Sequence, residues 1–499
     1  MVVIDGGSLT RAQVVAVARG AAEVEVTEAA LDEVAKTRAH VERLASAETP
    51  TYGVSTGFGA LATRHIPVDR RAALQRSLIR SHAAGAGEEV EREVVRALML
   101  LRLRTLATAR TGVRSSTVET MAAMLNAGVV PVVHEYGSLG CSGDLAPLSA
   151  VALALMGEGE VFDAEGHRRP AADVLAEAGI EPVVLAEKEG LALINGTDGM
   201  LGMLVLALDD LHRLLDVADL TAAMSVEALL ATDRVFSADL QALRPHPGQA
   251  HSAARMLALL ADSEIVASHR GPDCNRVQDA YSLRCAPQVH GAARDTMSYV
   301  ESVADRELAA AIDNPVVLPD GRVESNGNFH GAPIAYPLDF LAIPVADVAS
   351  MAERRTDRML DTTRSHGLPP FLADDPGVDS GHMIAQYTQA AVVSELKRLA
   401  VPASVDSIPS SAMQEDHVSM GWSAARKLRR AIDGLTTVLA VELLTAARAL
   451  DLRAPLRPAP ATAAAVAALR TRVGGPGADR HLAPEIAAAE ELIRTGELP

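Results

Sequence analysis

Five consecutive residues, Gly140-Cys141-Ser142-Gly143-Asp144, carry chemistry that ordinary side chains do not supply. If the Gly143 amide nitrogen attacks the Cys141 carbonyl carbon, a five-membered imidazolone ring closes. Loss of one water from that ring and a second from the Ser142 side chain leaves an exocyclic methylidene, which is an electrophile. The attack needs a tight backbone, and Gly140 and Gly143 remove the Cβ clashes that would forbid it. Taken alone, the same residues read first as a small-residue loop capping a helix, and it is the surrounding residues that reverse this.

Other residues could serve such a group. Asp144 is expected to N-cap the apolar helix that follows, with Gly157 as its stop, which puts the tripeptide at the positive end of a helix dipole. Tyr52 lies in the Gly-rich stretch from Thr51 to Gly59, where a tyrosine can swing over a site and act as a base if cationic surroundings lower its pKa. His82 ends an apolar segment. Gln278, Tyr281 and Arg284 fall at i, i+3 and i+6, one broad face if helical, and arginine is the natural clamp for a carboxylate. Glu415, polar inside an apolar region, is a candidate acid or base if partly buried. Gly-Cys-Ser-Gly lacks the last spacer of a hydrolase elbow, and Cys141 has no base close in sequence. Gly57-Phe58-Gly59 lacks the strand–helix setting of a dinucleotide loop. No metal or nucleotide motif is present, so neither ligand is expected.

The elements that must position these residues are helical. The chain has 499 residues, 48% of them hydrophobic but only 3% aromatic, and Ala, Leu and Val supply the bulk. That composition suits packed helices. Leu428, Ile432, Leu435, Leu439 and Leu443 repeat at helical spacing through a long segment. Strand signals are confined to Met1–Ile4, Val129–Val133, and Val316–Leu318 with Arg322–Glu324. The net charge of −18 with no basic run argues against nucleic acid or an anionic membrane as partner. Three cysteines make neither a disulfide framework nor a zinc site. Residues 1–20 lack a signal-peptide pattern, and the apolar stretch Leu191–Leu208 is interrupted by Asn195 and Asp198, so it reads as a buried helix. A soluble, cytoplasmic protein is expected. Its division is expected to be 1–200 as an N-terminal part with the Tyr52 loop and the tripeptide, 201–453 as a bundle of long helices, and 454–499 as a loosely attached C-terminal appendage.

Several stretches together resemble the histidine ammonia-lyase family, within the larger group of aromatic amino-acid lyases and aminomutases. They are Tyr52–Gly59, Ser81–Gly85, Gly137–Leu148, Leu193–Thr197, Gln278–Gln288, Asp313–Pro315, Gly327–His330 and Gln414–Met420. The resemblance implies a mainly α fold with a long central helix bundle and a small, loop-rich N-terminal part carrying the cofactor. It also implies a homotetramer with shared active sites. Cys141, Ser142 and Gly143 match the residues from which members form 4-methylideneimidazol-5-one (MIO) autocatalytically, with no external cofactor. By the same match Tyr52 is the β-proton base, and Arg284 clamps the substrate carboxylate. Asn195 and Tyr281 hold the cofactor and the amine end, while Gln278 and Phe329 line the site. His82 and Glu415 point to an imidazole, because two ring nitrogens call for polar partners and an apolar ring does not. The implied reaction turns L-histidine into trans-urocanate and ammonia, the first step of histidine degradation. Cys141 stands where many relatives have Ala, and Ala150 and Met413 replace His and Asn found in some. A tyrosine or phenylalanine lyase or 2,3-aminomutase of the same family is the nearest alternative, and an inactive scaffold homologue is the alternative of another class.

Overall fold

The computed structural model describes residues 1–46, 56, 66–271, 274 and 277–499. The fold is mainly α, as the composition implies, and the strands are short. Val2–Ile4 pairs in parallel with Val24–Val26, and Val130–Pro131, Glu160–Phe162 and Arg168–Pro170 form an antiparallel sheet. Val316–Val317 pairs with Val323–Glu324 in register Val316↔Glu324 and Val317↔Val323. The expected strand segments are thus present but shorter than their apolar runs.

The chain forms two compact units, each assembled from three stretches. The first comprises Met1–Leu206, Glu301–Asp339 and Pro402–Arg426; the second comprises Ala207–Val300, Phe340–Val401 and Lys427–Pro499. In the first unit, helices Arg71–His82, Leu145–Leu155 and Glu189–Ile194 pack against one another. His82 is the last residue of one, Asp144 precedes the next, and Asn195 follows the third. Three packed helices therefore each deliver a chemically capable residue at an end. Beside them runs Arg92–Ala107, buried along nearly its whole length. Its arginines 96, 102 and 104 are also buried, and each sends its guanidinium to main-chain carbonyls.

The apolar segment around Asn195 is interrupted where Asn195 and Asp198 stand. Glu189–Ile194 stops, residues 195–197 break the ladder, and a new helix Asp198–Ala228 begins. The apolar window within this stretch is wholly buried, as a core helix requires.

In the second unit, four long helices share a seam. Leu211 and Leu215 come from Asp198–Ala228, Ala293 and Met297 from Ala286–Glu307, Leu341 and Val345 from Ala332–Leu360, and Leu435 from Gly421–Asp451. A polar cross-link crosses it: buried Glu442 accepts from Arg355 Nη2 at 3.0 Å, Thr221 Oγ1 at 2.8 Å and Ser225 Oγ at 2.8 Å. Removing one partner of such a buried pair costs about 3–5 kcal/mol, since the other charge is left uncompensated. The C-terminal residues are not loosely attached. Thr462, Ala465, Leu469, Leu492 and Ile493 are buried, and both Ala459 N and Thr462 Oγ1 donate to the buried Glu227 carboxylate. Alanine-rich helices bury small side chains closely, which a reading of the Pro- and Gly-rich connections alone does not register.

Candidate active site

The tripeptide sits in a loop held from both sides. Gly140 and Gly143 have φ of +65° and +83°, the left-handed region that glycine enters without a Cβ penalty. A Cβ on Gly143 would land on the Gly196 carbonyl, with the Gly196 nitrogen 2.5 Å away, so only glycine fits there. Gly140 O accepts from Gly331 N at 2.9 Å and from Ser419 Oγ at 2.6 Å, while Leu139 O accepts from Met420 N at 2.9 Å. The stretches around Gly331 and Ser419 thus brace the residues that precede Cys141.

Glu415 faces the tripeptide directly. Ser142 Oγ donates to Glu415 Oε1 at 2.7 Å, and Cys141 Sγ to Oε2 at 3.3 Å, an oxygen that Ser410 Oγ also reaches at 3.0 Å. Burial, and then the Glu415 charge, push the Cys141 thiol up to about 12. It stays a neutral donor and is no thiolate nucleophile.

Asp144 does not cap the helix it precedes. Its side chain makes no bond to that helix and reaches the start of another instead: Oδ2 accepts from Gly199 N at 2.9 Å and Met200 N at 3.0 Å, and Oδ1 from Ser138 Oγ at 2.9 Å. The reason is the tight turn, which leaves Asp144 at ψ 63° and not in the extended conformation of a self-capping residue. Burial pushes its carboxyl up to about 7 against these three donors. Its own N–H donates to Gly196 O at 2.7 Å.

Asn195 lies behind the loop, buried, with Nδ2 donating to Leu191 O at 3.3 Å and Asn314 O at 3.2 Å. Next to Asn314, Asp313 forms a fully buried ion pair with Lys188 at 2.6 Å. His82 is half-buried; its Nδ1 lies 2.9 Å from Leu78 O, a hydrogen bond that assigns the proton to Nδ1 and leaves Nε2 as an acceptor. Burial lowers its pKa, the Leu78 carbonyl opposes, and the Glu415 charge opposes further. Phe329 is half-buried beside His330, whose ring stacks on His417 at 5.7 Å between centroids.

Gln278, Tyr281 and Arg284 belong to the second unit and form a group of their own. The helical part is only Tyr281–Arg284, so Gln278 precedes it, yet Arg284 Nη2 donates to Gln278 Oε1 at 3.0 Å and its guanidinium lies 4.7 Å from the Tyr281 ring centroid. Buried Arg355 donates to Ser282 O at 3.2 Å, fixing that short turn. Tyr52 lies outside the described residues. Among the described residues, no group of three or more His, Cys, Asp or Glu is placed to hold a metal ion. Reading the sequence alone missed Arg102, Lys188, Ser138 and Ser410. A usable signal existed for the first: three arginines inside an otherwise apolar helix must be buried and paired.

A loop of this composition, with a carboxylate on its serine, defines a class. The family model for aromatic amino acid lyases matches residues 9–471, and the chain belongs to that family. It is 66% identical to the histidine ammonia-lyase of Streptomyces avermitilis, over 100% of this chain and 97% of that one. Among solved structures it is similar to the tyrosine aminomutase from Streptomyces globisporus, with TM-score 0.94 and 39% identity over 100% of this chain and 97% of that one. It is equally similar in sequence to the histidine ammonia-lyase from Trypanosoma cruzi, with TM-score 0.91 and 39% identity over 100% of this chain and 94% of that one.

Proposed function

We propose that this lyase eliminates ammonia from L-histidine to give trans-urocanate, using an MIO group formed from Cys141, Ser142 and Gly143. The observation that carries the reading is the placement of Glu415 on the tripeptide, with the half-buried His82 presenting Nε2 as an acceptor. A carboxylate and an acceptor imidazole nitrogen are what a substrate with two ring nitrogens requires. The residues fit such a ring: both glycines already hold left-handed backbone, and Gly196 closes the space behind Gly143.

Formed from these residues, the ring would supply an electrophilic carbon that makes the substrate's α-amine a better leaving group. Around it the chain's own groups divide the work. Tyr52 removes the β-proton. Arg284 holds the carboxylate by its bidentate fork, with Gln278 and Tyr281 fixing its direction. Asn195 and Tyr281 orient the amine end, and Phe329 lines the pocket. Loss of the Ser142 hydroxyl as water would also remove the donor on Glu415 Oε1, freeing that oxygen for an imidazole N–H. We place the working enzyme in the cytoplasm as a homotetramer with shared sites, independent of nucleic acid and membrane and in need of no external cofactor.

The test is a near-UV progress curve with L-histidine, L-tyrosine and L-phenylalanine in parallel, with ammonia assayed alongside. Urocanate and ammonia are expected together with histidine only. A cinnamate-type product or a β-amino acid would select the tyrosine or phenylalanine lyase or aminomutase reading. No turnover with an unmodified intact mass would select the scaffold.

A further inference from the structure

We propose that Arg102 is a positioning residue for closure of the ring, acting through Gly196. The inference rests on the reading that the tripeptide cyclises, and goes beyond it by naming what compresses it.

Arg102 is fully buried, and its guanidinium spends all five N–H donors on one short stretch and its neighbour. Nη1 donates to Ala192 O at 3.1 Å and Ile312 O at 3.3 Å. Nη2 donates to Asn195 O at 3.2 Å and to Asp198 Oδ2, which Nε also reaches at 3.0 Å. The carbonyls of residues 192 and 195 and the carboxylate of residue 198 bracket Gly196 on both sides. One rigid fork therefore fixes the break between two helices.

Gly196 is the surface against which Gly143 is pressed. Its carbonyl accepts Asp144 N at 2.7 Å, and its backbone occupies the space where a side chain at residue 143 would stand. A Cβ on Gly196 would in turn fall on Arg102 Nη2. Arg102, Gly196 and Gly143 are thus packed with no room for a side chain on either glycine. Closure requires the Gly143 nitrogen to approach the Cys141 carbonyl carbon; an N–C bond forms, and the carbonyl oxygen leaves as water with the amide protons of Gly143 and Ser142, leaving a C=N bond to the Ser142 nitrogen. The Ser142 hydroxyl then leaves as a second water with the Cα proton. Arg102 exchanges no proton in either step. It keeps residue 196 in place, so that the Gly143 backbone is held in the left-handed conformation from which the loop closes.

The test is intact mass at fixed times after synthesis of the full chain, comparing wild type with Arg102→Lys. Lysine keeps the charge for Asp198 but has three donors and no planar fork. In wild type the soluble protein is expected to lose two waters promptly; in Arg102→Lys most of the soluble, folded protein is expected to keep its full mass. A merely structural role would lower yield and melting temperature yet leave every folded chain cyclised, and that result overturns the proposal. Should Arg102→Lys fail to fold, Gly196→Ala, whose methyl displaces the fork from the other side, is read in the same way, and prompt ring formation there overturns it. A wild type that loses no water sinks the ring reading and this inference together, whereas a cyclised wild type with an equally cyclised variant sinks the inference alone.

Discussion

Ser142 Oγ lies 2.7 Å from Glu415 Oε1, so the serine hydroxyl and the carboxylate are hydrogen-bonded across 273 residues of sequence. The Glu415 oxygens are taken by Ser142, Cys141 and Ser410, and under the proposed dehydration of Ser142 one of them would open. Glu415→Gln keeps the shape and removes the charge that an imidazole N–H would meet. We expect kcat/KM for L-histidine to fall by roughly 10²–10⁴, the range for a positioned acid–base group, with the two-water mass loss unchanged. Wild-type turnover of histidine by this variant would mean the carboxylate takes no part.

Arg284 presents a fork already aimed by Gln278 at 3.0 Å and by the Tyr281 ring. Lysine retains the charge as a flexible point and loses the second parallel bond. Arg284→Lys should raise KM for histidine about tenfold to a hundredfold, the equivalent of roughly 1.5–3 kcal/mol for a charge-assisted hydrogen bond. Steady-state kinetics at fixed pH decide it: a fall in kcat at constant KM would place Arg284 away from the carboxylate.

The loop was legible in the sequence because Gly140, Cys141, Ser142 and Gly143 are neighbours, and the family they resemble is the one to which the chain belongs. Helical periodicity likewise revealed the long helix through Leu428 and Leu443, found within Gly421–Asp451. What stayed hidden depends on distant backbone. The carbonyls that Arg102 addresses lie 90, 93 and 210 residues away, and no local pattern encodes them. Asp144 looked like a cap for its own helix by position, but tertiary packing offered it the unpaired N–H groups of Gly199 and Met200 instead. The break at Asn195 was legible, because Asn195, Gly196 and Asp198 stand as polar and small residues between apolar runs.

His382, in the second unit, is expected to give stability a pH dependence. It is buried beside Thr445, and burial, then Arg448, Arg480 and Arg470, lower its pKa to about 3, with Asp479 opposing. The unfolded chain takes up this proton near pH 6.5, the folded chain only near 3. Between those values the unfolded state binds more protons, so stability falls as pH drops through that window, at up to about 1.4 kcal/mol per pH unit from this group. His382→Gln should flatten the denaturation midpoint between pH 6 and about 4 relative to wild type. Parallel pH profiles for the two proteins would assign the acid sensitivity elsewhere.

Ser142→Ala and Gly143→Ala should both abolish the methylidene, for different reasons, and the pair separates chemistry from geometry. Ser142→Ala deletes the hydroxyl that leaves as the second water and adds nothing, so the loop keeps its φ angles and its brace from Gly331 and Ser419. Gly143→Ala must hold an alanine at φ +83° and seat its methyl on the Gly196 carbonyl, the acceptor for Asp144 N. The left-handed backbone alone costs about 1–2 kcal/mol, and displacing Gly196 adds to it. The expected result is nearly all turnover lost in both, with no loss of the second water in Ser142→Ala and a melting temperature close to wild type. Gly143→Ala should keep its full mass and melt several degrees lower, since about 1 kcal/mol moves a domain of this size by a few degrees. Intact mass and calorimetry on the two variants decide it. A Gly143→Ala protein that loses both waters would show that the loop closes without Gly196 pressing on residue 143.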